Sequence, residues 1–287
     1  MKVITRKYDY ESREDATIKI VPLGDIHVGS KGFVEPHLQR LLDWIQENDC
    51  YVILMGDYGE FISRKDRRYD HRQFDSKLYS PDKQYRHVRE LLLPIKDKIL
   101  CVLAGNHEYS HWMHQSTDYG NWLAIELEKP YCPDFAFIRF KFQRKKTSRR
   151  KLDLLATHGS TGARTDAYKV KIIQDMRKVV PACHAYLMGH VHRMGEALPT
   201  TYLWVDNWGK IGDFNQYYYF TGSYVKAYDI ERGYMEEEAF TNYAARKGYA
   251  PTTIGSPIIS ARPNRTEAKY TRTSPFSLKY ETMEWMT

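Results

Sequence analysis

Cysteine is scarce in this sequence: Cys50, Cys101, Cys132 and Cys183 are far apart and never form a CxxC pair. That spacing argues against a disulfide scaffold or a thiolate-built zinc site. The four read as buried free thiols in a reducing, cytoplasmic setting. Long apolar runs are lacking too. YVILM (51–55) and ILCVLA (99–104) are strand-sized, so no segment reads as a bilayer span. The opening MKVITRKYDYESRED has no apolar stretch of the kind a secretory leader needs. Gly (17) and Pro (12) are too few for a fibrous or low-complexity chain. No GxGxxG follows a first strand and no GxxxxGK[ST] occurs, which removes the dinucleotide and P-loop readings. Acidic residues are outnumbered, 36 Asp+Glu against 43 Lys+Arg, for a net charge of +7. The excess favours an anionic partner but falls well short of a basic tail.

What is present is a chain of 287 residues, 42% hydrophobic, long enough to bury a large core. Residues 1–19 are polar with a β-leaning start, and IKIVPL (18–23) reads as a strand. Residues 36–48 place Leu38, Leu41, Leu42 and Ile45 on one helical face. Strands are expected at 51–56 and 99–105, with helices over 84–94 and 119–129. Residues 135–142 alternate as a half-buried strand, followed by strands at 151–159 and 184–189 and a helix over 168–179. Further strands are expected in TTYLWV, QYYYFTG and YVKAYDI. The segment 242–287 reads as strand-loop segments or an extended tail packed over the domain. Alternating strands and helices together with hairpin-like strands fit a layered α/β fold, a two-sheet β-sandwich flanked by helices.

Five of these strands run directly into metal-type ligands: Asp25 and His27, Asp57, Asn106 and His107, His158, and His190 and His192. Folding gathers the carboxyl ends of neighbouring strands, so residues distant in sequence converge on one rim. Carboxylate, imidazole and amide oxygen suit divalent Mn, Fe, Zn or Co-like ions. Seven candidate ligands are too many for one tetrahedral ion and suit two, with an Asp bridging them. Two such ions activate water and stabilise charge on a transferring phosphoryl group.

The ordered series GDIHVG, MGDYGE, AGNHE, ATHG and MGHVH resembles the calcineurin-like metallophosphoesterase family, in its prokaryotic and phage-type form. The resemblance implies a four-layer α/β/β/α sandwich, here a single domain over 1–287 with its motif core at 18–230. It implies that Asp25, His27 and His192 hold one ion and that Asp57 bridges to a second. Asn106, His158 and His190 would complete that second ion. Manganese is expected, with Fe, Zn, Co, Ni or Mg as other occupants. Asp57 and His107 are then the catalytic candidates, with His107 aiding departure of the leaving oxygen after attack by hydroxide. Glu60, where the family often has a shorter Asp or Asn, and Glu108 would support the ligands from outside.

The substrate is less sharply written. Phosphoprotein phosphatases of the family carry GDxVDRG and RGNHE blocks, whereas here Asp57 is followed by Tyr-Gly-Glu and Asn106 is preceded by Ala-Gly. The segment 63–72 offers Arg64, Arg67 and Arg68 as substrate contacts. Residues 109–122 offer His111, Trp112 and His114, with rings able to stack on bases. The run KFQRKKTSRRK (141–151) reads either as a solvated hairpin tip or as a phosphate contact, and its drawback is a position between two strands. These features tilt the expectation to a phosphodiesterase or nuclease acting on DNA. A phosphomonoesterase or small (cyclic) nucleotide phosphodiesterase is the alternative. A binding module alone would leave the seven ligands unexplained. An inactive scaffold would have lost His107 or Asp57.

Overall fold

Period-two alternation of apolar side chains builds both sheets of the protein, described here from a computed structural model. The described residues are all of 1–287 except 13–15, 67–68, 145–147, 163–164, 206, 229–244, 246, 252, 265–275 and 283–287. In chain order the elements are β1 (Lys2–Asp9), β2 (Ile18–Leu23), α1 (Glu35–Glu47), β3 (Tyr51–Leu54), α2 (Pro81–Leu92) and β4 (Ile99–Leu103). Then come α3 (Asn106–Gln115), α4 (Tyr119–Glu126), β5 (Tyr131–Cys132), β6 (Phe135–Arg144), β7 (Ser148–Thr157) and α5 (Asp166–Asp175). The last are β8 (Ala185–Met188), β9 (Met194–Val205), β10 (Ile211–Thr221), β11 (Ile258–Pro263) and β12 (Phe276–Glu281).

Sheet I has the order β12-β11-β2-β3-β4-β5 and sheet II the order β1-β6-β7-β8-β10-β9. In sheet I the strands β2 to β5 are parallel, and β11 joins β2 antiparallel. In sheet II β6 and β7 form an antiparallel hairpin, while β7, β8 and β10 are parallel. Ile20 and Ile53 of sheet I face Ile138, Phe140, Leu154 and Leu187 of sheet II, closing the central core. The opposite side chains, Val21, Val52 and Leu54, pack under α1, α2 and α4. On the far side Leu155, Tyr186 and Tyr218 pack against Ile173 of α5. The result is the four-layer α/β/β/α arrangement of the calcineurin-like phosphoesterase fold.

Helix α1 buries Leu38, Leu41, Leu42 and Ile45, the four residues its sequence period singles out. All four cysteines are buried and free. No helix among the described residues is long and apolar enough to cross a membrane. YVKAYDI is not a strand: its described part makes only isolated contacts, such as the bridge of Phe33 to Val225. The physical reason is its task. The chain bends there beneath the loop after β2, where Tyr224 N donates to Asp25 O at 2.9 Å and Ser223 Oγ donates to the same oxygen at 3.2 Å. The C-terminal segment enters the core architecture, because β11 lies between β12 and β2 inside sheet I.

Candidate metal centre

The loops that leave β2 and β3 are zipped together by their backbones. Asp25 N donates to Gly56 O at 2.9 Å, Ile26 N to Asp57 O at 2.8 Å and Val28 N to Tyr58 O at 3.0 Å. This turns the chain sharply at each strand exit. Asp25, His27, Asp57, His190 and His192 all have positive φ, between 48° and 66°. Such left-handed backbone costs energy for residues with a Cβ and is held only where surroundings over-determine it. Five metal-type side chains therefore reach one rim through strained exits. Gly105 shows how tight the packing is, since a Cβ there would collide with the Asp57 backbone and carboxylate.

One group consists of Asp25, His27 and His192. His27 Nε2 and His192 Nε2 are 3.0 Å apart, and Asp25 Oδ1 is 3.3 Å from His192 Nε2. Asp25 Oδ2 accepts from His190 N at 2.9 Å, but Oδ1 is buried with no hydrogen-bond partner among the described residues. A second group consists of Asp57, His158 and His190. His158 Nε2 is 3.2 Å from Asp57 Oδ2 and 3.1 Å from Asn106 Oδ1, and His190 Nδ1 is 2.7 Å from Asn106 Oδ1. Asp57 Oδ2 also lies 3.7 Å from His27 Nε2, between the two groups.

These residues fit a pair of divalent ions. Ligands sharing an ion at bonds of about 2.1 Å stand roughly 3.0–3.4 Å apart, as His192 does from His27 and from Asp25, and His158 from Asp57, while His27 Nε2 and Asp25 Oδ1 are 3.9 Å apart. An ion would also satisfy the buried, unpartnered Asp25 oxygen. The donors are nitrogen and oxygen only, with no thiolate, which suits Mn, Fe, Zn or Co-like ions. Backbone carbonyls fix the rings from behind: Met55 O lies 2.9 Å from His158 Nδ1 and Thr161 O lies 3.1 Å from His190 Nε2.

The charges are strongly coupled to burial. Burial alone would raise the Asp25 carboxyl, but His192 and His27 beside it hold it well below the usual range. Asp57 is likewise lowered against its burial, by His158 and His107. Burial would lower His158, yet the Asp57 carboxylate lifts it to about 9. His190 is pushed down by burial and by the neighbouring His158.

His107 sits against this centre, its ring 4.7 Å from that of His27 and nearly perpendicular to it. Its backbone N–H donates to Asp57 Oδ1 at 2.9 Å, and its Nδ1 is 2.6 Å from Glu60 O. The Glu60 carboxylate lies 3.4 Å from His27 Nδ1 and 3.6 Å from His107 Nδ1. Glu108 serves backbone instead of an imidazole. Its oxygens accept from Asp57 N at 2.9 Å, Tyr58 N at 2.8 Å and Gly105 N at 2.7 Å.

Sequence reasoning missed α3, the helix that delivers Asn106 and His107. Its inward residues are His107, Glu108 and His111, so no apolar stripe marks it. The available signal was Glu108 three residues after Gly105, where it caps the helix by accepting the Gly105 N–H. The same helix corrects the expectation for His111. It is buried, with Nδ1 2.9 Å from Phe61 O and its ring 4.9 Å from that of Tyr119, so it serves packing and is withdrawn from substrate contact. Trp112 and His114 are exposed on α3, with Tyr109 and Met113 beside them. Arg64 is exposed. Arg67 and Arg68 lie outside the described residues.

Among known proteins, the DNA polymerase II small subunit of Thermoplasma acidophilum is 29% identical over 110 residues, which is 36% of this chain. The chain spans only 21% of the length of that relative. In shape it resembles the calcineurin-like phosphoesterase YfkN from Bacillus subtilis at 10% identity, over 93% of this chain and 91% of that one, with a TM-score of 0.40. It also resembles Vacuolar Protein Sorting 29 from Cryptosporidium parvum at 11% identity, over 93% and 99%, with a TM-score of 0.37. The calcineurin-like phosphoesterase family profile matches residues 18–194, which span every strand exit of the centre. Matching that profile over more than half its length, the chain belongs to the calcineurin-like phosphoesterase family.

Proposed function

We propose that this enzyme is a phosphodiesterase that cleaves DNA with a pair of manganese ions. The observation that carries the reading is the double use of α3. Its first turn bears Asn106 and His107, and its next two turns expose Tyr109, Trp112 and Met113 to solvent. At 1.5 Å per residue the rings of Tyr109 and Trp112 stand about 3 and about 7.5 Å along the axis from His107. That is within reach of a nucleotide whose phosphate is at the centre. Aromatic side chains stack on any base, whereas a phosphate monoester of a small alcohol has no use for them. The name of the Thermoplasma relative, a DNA polymerase subunit, agrees with a nucleic-acid setting.

In this reading Asp25, His27 and His192 hold one ion. Asn106, His158 and His190 would hold the other, with Asp57 placed between the two groups. When bound, the ions supply Lewis-acid charge for the phosphoryl oxygens and lower the pKa of attacking water. The chain's own residues do the rest. His107, with its Nδ1 against the Glu60 carbonyl, gives a proton to the departing 3′ or 5′ oxygen. An alkoxide of that kind is a poor leaving group without one. Glu60 keeps His27 and His107 in register through its two carboxylate oxygens. Glu108 holds the Asp57 turn, so the shared carboxylate keeps its place. The whole chain 1–287 acts as one domain, and its four free thiols accord with a reducing cytoplasm.

The test is a denaturing-gel time course with end-labelled single- and double-stranded DNA in Mn²⁺. Wild type is run beside His107→Ala, Asp57→Asn and the pair Tyr109→Ala, Trp112→Ala. The expected result is cleavage by wild type, its loss in the first two, and a raised KM with near-normal metal content in the aromatic pair. Intact DNA under metal-replete conditions would refute the substrate while leaving the phosphoesterase chemistry in place.

A further inference from the structure

Three lysines stand in a row across the outer face of sheet II. Strand register sets Lys7 beside Lys141 and Lys141 beside Lys151. Neighbouring strands bring such residues to about 5 Å of one another. The even-numbered neighbours Ile138, Phe140, Leu152 and Leu154 point into the core between the sheets. The odd-numbered residues therefore face outward, as Arg139 does when it grips Asp153 through Nε at 2.7 Å and Nη2 at 2.8 Å. All three lysines are exposed, and none makes an ion pair among the described residues. Helix α5 covers the other part of this face, near Leu155 and Tyr186.

Like charges set directly opposite one another destabilise a sheet. The row nearer α5 cancels its charge, because Arg139 is taken up by Asp153. On the other side the row of Asp9, Gln143 and Arg149 holds one acid beside one base, too little for three further cations. Two arginines of the same hairpin are committed to backbone. Arg144 Nε donates to Glu11 O at 3.3 Å and Arg150 Nη1 to Asn264 O at 2.6 Å. Among the described side chains of these rows, the lysines are thus left to meet an outside anion.

We propose that the row Lys7, Lys141 and Lys151 is a docking surface for the sugar-phosphate backbone of nucleic acid, separate from the metal centre. It rests on the DNA reading above for the choice of polyanion. The row is about 10 Å across, a length over which duplex DNA presents roughly six phosphates. Lys151 lies six residues before Thr157 on β7, about 20 Å from the rim. A duplex lying on both would be gripped some six base pairs from the cut. A row of lysines with no ring of its own reads charge and not sequence. The flanking rows hold Thr5, Arg139, Asp153, Asp9, Gln143 and Arg149, with no apolar residue to enter a bilayer interface, which favours nucleic acid over a lipid surface.

The test measures binding of a fluorescent 30-base-pair duplex to the full chain in EDTA, from 50 to 200 mM salt. It compares wild type with Lys7→Gln, Lys141→Gln, Lys151→Gln combined. A control combines Lys96→Gln, Lys171→Gln and Lys178→Gln. The expected result is a logarithmic salt slope shallower by about 2–3 in the row variant, with affinity down about tenfold or more at 50 mM salt. The control keeps the wild-type slope, and the row variant keeps its melting temperature. An unchanged slope overturns the proposal, and so does an equal loss in the control, which would be a net-charge effect. Loss of binding to phosphatidylserine vesicles with DNA binding intact also overturns it, in favour of a membrane. Because no divalent ion is present, failure to cut DNA would refute the substrate reading alone.

Discussion

The backbone amide of Asp57 donates to the carboxylate of Glu108 at 2.9 Å, across 51 residues of sequence. The same carboxylate takes the amides of Tyr58 and Gly105. One buried acid thus satisfies three N–H groups at the turn that presents the Asp57 carboxylate. Burial, and then the nearby Asp57 charge, lifts this acid to about 7.

Replacing Glu108 with Ala strands three buried donors. Each unpaired group costs about 1–3 kcal/mol, so a loss of at least about 3 kcal/mol in unfolding free energy is expected. Metal content should fall with it as the Asp57 turn loosens. Urea denaturation and metal analysis read both, and a variant with wild-type values in each would remove the clamp from the account.

Asp57→Asn keeps the shape of the side chain and removes the charge between the two groups. Binding of the second ion should drop steeply and turnover with it. Metal stoichiometry after dialysis, followed by activity on added Mn²⁺, checks this. A metal-replete, fully active Asn variant would show that Asp57 is not shared.

His107→Ala should keep both ions and slow turnover by ~10²–10⁴-fold, the usual scale of general-acid help. The deficit should shrink for a diester with a good leaving group such as a nitrophenolate, which needs no proton. Equal deficits for both kinds of diester would be evidence against proton donation.

His184 gives a pH dependence remote from the centre. Burial pushes its imidazole down to about 4 in the folded chain, against 6.5 for the unperturbed group. Its Nδ1 accepts from Asp153 N at 3.1 Å, and its ring lies against Phe214 and Phe276. Between these two values the unfolded chain binds the proton and the folded one does not. The contribution is therefore fully present above pH 6.5 and is lost as pH falls toward 4. From pH 7 to pH 5 it amounts to about 2 kcal/mol. His184→Asn, which retains an acceptor for Asp153 N, should lose less stability than wild type over that interval. Parallel pH profiles for the two proteins would count against this assignment.

The strand exits were legible because each apolar run ends abruptly at a polar residue, and that boundary is a local property of sequence. Asp25, Asp57, Asn106, His158, His190 and His192 converge for that reason. Helix α3 was not legible, since its buried face is made of His107, Glu108 and His111 and carries no hydrophobic period. His111 was misread as a substrate contact by the same omission. The partner of Glu108 could not be inferred either, because it is backbone and backbone has no letter in a sequence. YVKAYDI has the β-branched and aromatic composition of a strand. Its bend under Asp25 is imposed by a loop some 200 residues earlier.

The seating of Asp25 on Ser223 and Tyr224, and of β2 against β11, has a consequence for biosynthesis. A nascent chain that has left the ribosome as far as residue 194 already owns every metal-type ligand of the centre. It lacks β10, which pairs with β8, the support under Asp25, and the neighbour of β2. Contacts between such distant segments form slowly and expose unpaired strand edges until they do. The geometry of the centre would then be completed only after the later strands have joined. A polypeptide truncated after the last ligand histidine would carry the full set of donors without the walls that hold them in register.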